Sequence, residues 1–174
     1  MIYIFDTYVK INTIVWNSQQ QKWEIVSKNI QFNSQNLNSM ATSKVVYLEK
    51  LRTKIEHLSS GQTSITDAPM DNHGKGEAFS PTDLLATSLA SCMLTVVGIR
   101  ARSMGFDIDG STATVTKTMA SEPRRVSQID VDLTLKGSFS DGQKSLFTQI
   151  VINCPVAKSL NQEIVQNIRV EFEA

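Results

Sequence analysis

This 174-residue chain predicts an α+β fold, on three observations. Residues 128–136 alternate cleanly, with Ile129, Val131, Leu133 and Leu135 on one face and polar residues on the other, as a half-buried strand does. Ser80-Pro81-Thr82-Asp83 opens a long apolar stretch of helical period, with serine as N-cap, proline at the first helical position and an acid in the first turn. The order of elements is strands, one long helix, a hairpin, a second helix and a closing strand, which is α+β order. At 41% apolar residues, one domain of this length builds a continuous core without staples.

Seventeen basic residues balance seventeen acidic ones, so no global field recruits nucleic acid or an anionic membrane. A small neutral partner fits better. The N-terminal apolar runs, beginning Met1-Ile2-Tyr3-Ile4-Phe5, do not reach the length of a secretory core or a membrane span, and the expected location is cytoplasmic. Thiols there are kept reduced. Two cysteines are therefore either core residues or a catalytic or redox-sensing pair.

Residues 1–39 are set apart by composition: eleven are Asn or Gln, and both tryptophans, Trp16 and Trp23, fall here. The segment reads as an extension to a domain spanning 40–174. It is a hairpin of Val9–Trp16 and Trp23–Phe32 around Gln19-Gln20-Gln21, or disorder, or an over-extended reading frame ahead of a natural start at Met40. The last is favoured.

Val45–Leu48, Leu51–His57 and Thr63–Thr66 read as short strands of an antiparallel sheet, divided by Ser59-Ser60-Gly61. Asp67–Gly76 holds Pro69, Asp71, Asn72, Gly74 and Gly76 and reads as a surface loop. The long helix runs from the Ser80 cap to about Met104. Leu85, Leu89, Cys92, Val96 and Ile99 fall on one stripe predicted to face the core, and Ser88, Ser91 and Thr95 form a small-residue stripe open to a second covering element. Arg100, Arg102 and Gly105 suit its end. Thr112–Met119 and Gln128–Lys136 are hairpin strands joined by Glu122-Pro123-Arg124-Arg125. Asp141 opens a helix carrying Leu146, Phe147, Ile150 and Val151. A short helix runs from Pro155 to about Asn161, and Ile168–Glu173 closes the chain.

Pro155 at a first helical position makes Cys154 the N-cap, where free N–H groups and the helix dipole lower a thiol pKa. The plainer alternative is that Cys-Pro only ends one helix and starts another. Cys92, in apolar surroundings, needs a cation to ionise. Arg100 and Arg102 lie too far along the same helix, which leaves Arg52, unless that arginine is an exposed strand residue paired with Glu49 or Glu56. His57 and His73 have no zinc-site spacing, and Gly74-Lys75-Gly76 lacks that of a phosphate loop.

The stretch Glu77-Ala78-Phe79-Ser80-Pro81-Thr82-Asp83-Leu84-Leu85-Ala86-Thr87-Ser88-Leu89-Ala90-Ser91-Cys92, with Asn153-Cys154-Pro155-Val156, resembles the OsmC/Ohr family of cysteine-dependent hydroperoxide reductases, over roughly Met40 to Glu173. The resemblance implies an OsmC-like fold, with antiparallel sheets around a long central helix, and an intertwined homodimer with active sites at its interface. It implies an antioxidant thiol peroxidase. Cys92 attacks an organic hydroperoxide and becomes a sulfenic acid, Cys154 resolves it as a redox-active disulfide, and an external dithiol, often a lipoylated protein in relatives, resets the pair. No metal, flavin or haem is implied, and neither nucleic acid nor membrane is a partner. Arg52 matches the family's early-strand arginine by placement. The glutamate that usually partners it would follow the helix-start proline, where Thr82 stands; Asp83, one residue on, or Glu77 before the helix is the substitute. That departure motivates a second reading, an OsmC-fold small-molecule binding or redox-sensing protein with little turnover.

Overall fold

The computed structural model describes the backbone of residues 8–17 and 22–31, and residues 41–174 in full. Two compact units divide the chain: residues up to Tyr47 with Thr53–Ser64, and Leu48–Arg52 with Ile65–Ala174.

In the first unit β1 (Tyr8–Asn17) and β2 (Lys22–Gln31) pair antiparallel in unbroken register, Ile14 opposite Ile25 and Trp16 opposite Trp23. The Gln19-Gln20-Gln21 connection and the Met40 start lie outside the described residues. Further along, β3 (Ser43–Leu48), β4 (Arg52–His57) and β5 (Thr63–Asp67) form a three-stranded sheet in that order. The turn into β4 places Lys50 and Leu51 at φ of 62° and 63°, a left-handed pair without glycine. Left-handed backbone suits a tight strand reversal, and Leu51 C=O is held there by the Ala68 N–H at 3.2 Å.

The second unit holds the core. Helix α1 (Pro81–Ser103) starts with a full capping box: Ser80 Oγ accepts from Asp83 N–H at 3.1 Å, and Asp83 Oδ2 accepts from Ser80 N–H at 2.7 Å. It ends at Met104, with Gly105 at φ 78°. Strands β6 (Thr112–Ser121) and β7 (Arg124–Lys136) are antiparallel, with a register shift at Thr118/Met119. Helices α2 (Asp141–Ile152) and α3 (Pro155–Ser159) follow, and β8 (Val165–Glu173) pairs with β7 in parallel. This one pairing departs from the antiparallel pattern: a parallel neighbour requires a crossover, and α2 and α3 provide it.

Val126, Ile129, Val131, Leu133 and Leu135 of β7 are buried with Phe147 and Val151 of α2 and one face of α1. Phe139 packs edge-on against Phe106, Phe147 and Phe172 at centroid distances of 6.2, 5.2 and 5.9 Å. The buried face of α1 is Ala86, Leu89, Ala90, Met93, Val97 and Ala101, not the predicted Leu85–Ile99 stripe, of which Leu85 and Ile99 are exposed. The shift is one residue at most positions, a turn of about 100°. Its cause is that α1, mean hydropathy 1.7 over its most apolar 18 residues, is apolar nearly all round, so periodicity selects no face, while small alanines let the helix approach the sheet closely. By length and composition α1 is apolar enough to cross a bilayer, but here one face of it forms the core of its own unit.

Candidate functional site

Cys92 lies on α1 beside the buried stripe, half-buried, and Cys154 is 1% exposed at the N-cap of α3. The Cys154 sulfur accepts from Ala157 N–H at 3.4 Å, and Cys92 is near enough to act on its thiol. The cap geometry is as the sequence predicts, but its consequence is reversed. Burial first, and then Cys92, push the Cys154 thiol up, against the opposing pull of the Ala157 N–H. A helix of five residues aligns too few peptide dipoles to win that contest.

Arg52 opens β4. Its Nη2 donates to Asp67 Oδ2 at 3.2 Å and to Glu77 Oε2, in place of the Glu49 or Glu56 pairing that strand position alone suggests. Asp67 Oδ2 also accepts from the Glu77 backbone N–H at 3.0 Å. The Glu77 and Asp67 carboxylates hold the guanidinium pKa above its ordinary value. Conversely, the Glu77 N–H, then Arg52, keep the Asp67 carboxyl below the usual carboxylate range despite desolvation.

The loop read as a simple surface connection is what assembles this cluster. Gly74 N–H donates to Pro69 C=O at 3.0 Å, and Gly76 N–H to Ala68 C=O at 3.2 Å. A Cβ on Gly74 would overlap the Ala68 carbonyl, so only glycine permits this fold-back. The loop is also tied to the β6–β7 turn by Arg124 Nη2 on Asp71 Oδ2 at 2.9 Å.

Asp83 makes a different set of contacts. Its carboxylate accepts from Ser80 N–H and Oγ, both at 2.7 Å, and pairs with Lys117 Nζ at 2.9 Å. Burial alone would raise its carboxyl, but Ser80 and Lys117 together hold it low. Thr82 Oγ1 shares a hydrogen bond with Ser80 Oγ at 3.0 Å. Of the two acids the sequence offers as partner for Arg52, it is Glu77, joined by Asp67, that meets it, while Asp83 is engaged by Ser80 and Lys117. Sequence reasoning missed Asp67 and Lys117. Lys117 carried a signal, a lone cation among the inward-facing Ala113, Val115 and Met119. Among the described residues no group of three or more His, Cys, Asp or Glu side chains is placed to hold a metal.

The sequence model of a family described as OsmC-like protein matches residues 74–169, which include Glu77, the Ser80 cap and both cysteines. The chain belongs to the OsmC-like family. Its OsmC-like fold is shared with solved structures. A protein of Psychrobacter arcticus, named as an osmotic stress induced and detoxification response protein, is 55% identical with a TM-score of 0.73, over 76% of this chain and 96% of that one. An OsmC-like protein of Mycoplasma pneumoniae is 18% identical, TM-score 0.64, over 76% and 96%. An organic hydroperoxide resistance protein OsmC of Legionella pneumophila is 14% identical, TM-score 0.60, over 76% and 98%. At those two lower identities the likeness is one of fold. No curated protein sequence matches the chain.

Proposed function

We propose that this OsmC-like protein is a cytoplasmic thiol peroxidase that reduces organic hydroperoxides in stress defence, with Cys92 as attacking thiol and Cys154 as resolving thiol. One observation carries the reading: the two sulfurs are neighbours, and the buried Cys154 is held in its protonated form. A thiol pushed up in this way is poorly suited to first attack and well suited to wait for an oxidised partner. The names of relatives, for detoxification response and for organic hydroperoxide resistance, point the same way.

In this mechanism the Cys92 thiolate attacks the terminal peroxide oxygen. The O–O bond breaks, the alkoxide takes a proton and leaves as an alcohol, and Cys92 becomes a sulfenic acid. The Cys154 sulfur then attacks Cys92 sulfur, releasing water and forming a disulfide. An external dithiol, by class a small dithiol or a lipoylated protein, returns two electrons and two protons by exchange. No bound cofactor takes part. Arg52 serves as the cation for the Cys92 thiolate and the peroxide, aimed by its two carboxylates, with Nε still buried and free to donate. Asp83 acts through the helix cap.

The working form is a homodimer. Leu85 and Ile99 on the open face of α1 are 39% and 65% exposed, beside the exposed Ser88, Ser91 and Thr95. The binding or sensing alternative was motivated by the acid missing at Thr82, and Glu77 on Arg52 weakens that motive.

Purified protein with dithiothreitol should consume cumene hydroperoxide, and Cys92→Ser should abolish turnover. Undiminished activity in Cys92→Ser would overturn the reading.

A further inference from the structure

We infer that Asp67 is a positioning residue, the buried anchor that sets where the Arg52 guanidinium points. The inference rests on the reading of Arg52 as the cation that serves Cys92. The Asp67 side chain is fully buried, whereas Arg52 keeps 29% of its exposure and Glu77 57%. An arginine and a glutamate that exposed make a weak, mobile pair on their own. A buried carboxylate oxygen accepting a charge-assisted bond is directional.

That oxygen, Oδ2, receives both Arg52 Nη2 at 3.2 Å and the Glu77 N–H at 3.0 Å, so one atom fixes the guanidinium and the residue that meets it. The backbone around Asp67 is equally determined. Its N–H donates to Phe79 C=O at 3.1 Å, and Ala68 N–H donates to Leu51 C=O, immediately before Arg52. Asp67 thus joins the turn that launches Arg52, the loop that carries Glu77 and the approach to α1. Other nearby charges have other roles: Lys75 Nζ lies 3.9 Å from Glu77, and Asp71 is engaged by Arg124. Asp67 hydrogen-bonds to neither thiol; it acts through Arg52.

The test uses the full chain as wild type, Asp67→Asn, Arg52→Ala and the double variant. The readouts are kcat and KM for cumene hydroperoxide with dithiothreitol, and the nitrogen-15 NMR signal of Arg52 Nε–H, assigned by its loss in Arg52→Ala. Asp67→Asn should lower kcat/KM about tenfold, the scale of a lost charge-assisted hydrogen bond, and shift or broaden the Arg52 signal. The double variant should be within about twofold of Arg52→Ala, because residues acting as a unit are not additive. Additive losses, or an unmoved Arg52 signal in Asp67→Asn, overturn the inference. Should Asp67→Asn not fold, Asp67→Glu, which keeps the charge but displaces it by one methylene, should move the same signal; wild-type kcat/KM with an unmoved signal overturns the inference equally. If the wild type turns over no hydroperoxide, the proposed function fails, and the Arg52 signal still decides the role of Asp67.

Discussion

Cys92 lies near enough to Cys154 to help push its thiol pKa up, at the foot of a five-residue helix that Cys154 caps. With resolution assigned to Cys154, its removal should strand the oxidised partner. Cys154→Ser treated with one equivalent of cumene hydroperoxide should carry about one dimedone adduct per chain, at Cys92, by mass spectrometry. Wild type should instead lose two thiols together. A dimedone adduct on Cys154 in wild type would reverse the roles.

The raised Cys154 pKa has a stability signature of definite sign. A thiol held neutral by burial contributes stability that is fully present below its unfolded value of about 8.5, and loses it as pH rises through the higher folded value. Urea midpoints of the reduced protein should therefore fall on the alkaline side of about 8.5. Cys154→Ala should flatten that fall relative to wild type, and an identical pH slope in the two proteins would sink the prediction.

Glu77 should matter for turnover more than for folding. Its side chain is 57% exposed and its partner Arg52 29%, so solvent screens the pair. Glu77→Gln should melt within about 2 °C of wild type, the shift expected when a screened surface pair is lost. Its kcat/KM for cumene hydroperoxide should drop severalfold.

Asp83 should show the opposite balance. Replacing a helix cap costs about 1 kcal/mol, and Ser80→Ala and Asp83→Asn should each lower the unfolding free energy by roughly that amount in urea titrations. The kinetic loss in Asp83→Asn should be smaller than that in Glu77→Gln. An equal or larger loss would restore Asp83 as the partner of Arg52.

The open face of α1 makes assembly testable. Ile99 at 65% exposure and Leu85 at 39% lie on the helix face away from its own sheet. Light scattering after gel filtration should give wild type the mass of two chains. Leu85→Asp with Ile99→Asp should give one, with peroxide turnover lost. A monomeric, fully active wild type contradicts the proposed dimer.

Much of the fold was legible where local chemistry is strong. The Ser80-Pro81-Thr82-Asp83 start, the Cys154-Pro155 cap and the Ile129–Leu135 alternation each act within a few residues, and the helix caps and strand faces are where those patterns put them. The core face of α1 was not legible, because Leu85, Leu89 and Ile99 offer one apolar stripe and Ala86, Met93 and Val97 another. Only the sheet beneath selects between them. Nor was the parallel pairing of β7 with β8, which depends on a crossover rather than on either strand's sequence.

By itself, the sequence determined the two cysteines in their signature contexts, the helix starts and the membership they imply, since these rest on neighbouring residues and short-range backbone needs. The tertiary structure alone decided which acids meet Arg52. Asp67 and Glu77 stand 15 and 25 residues from it, and Gly74 and the Leu51 turn must fold the chain back before they converge. The tertiary structure also decided that Cys154 is held protonated. A cap read locally promises a low pKa, but desolvation and a neighbouring thiol belong to the packed state, and there they outweigh the dipole of a short helix.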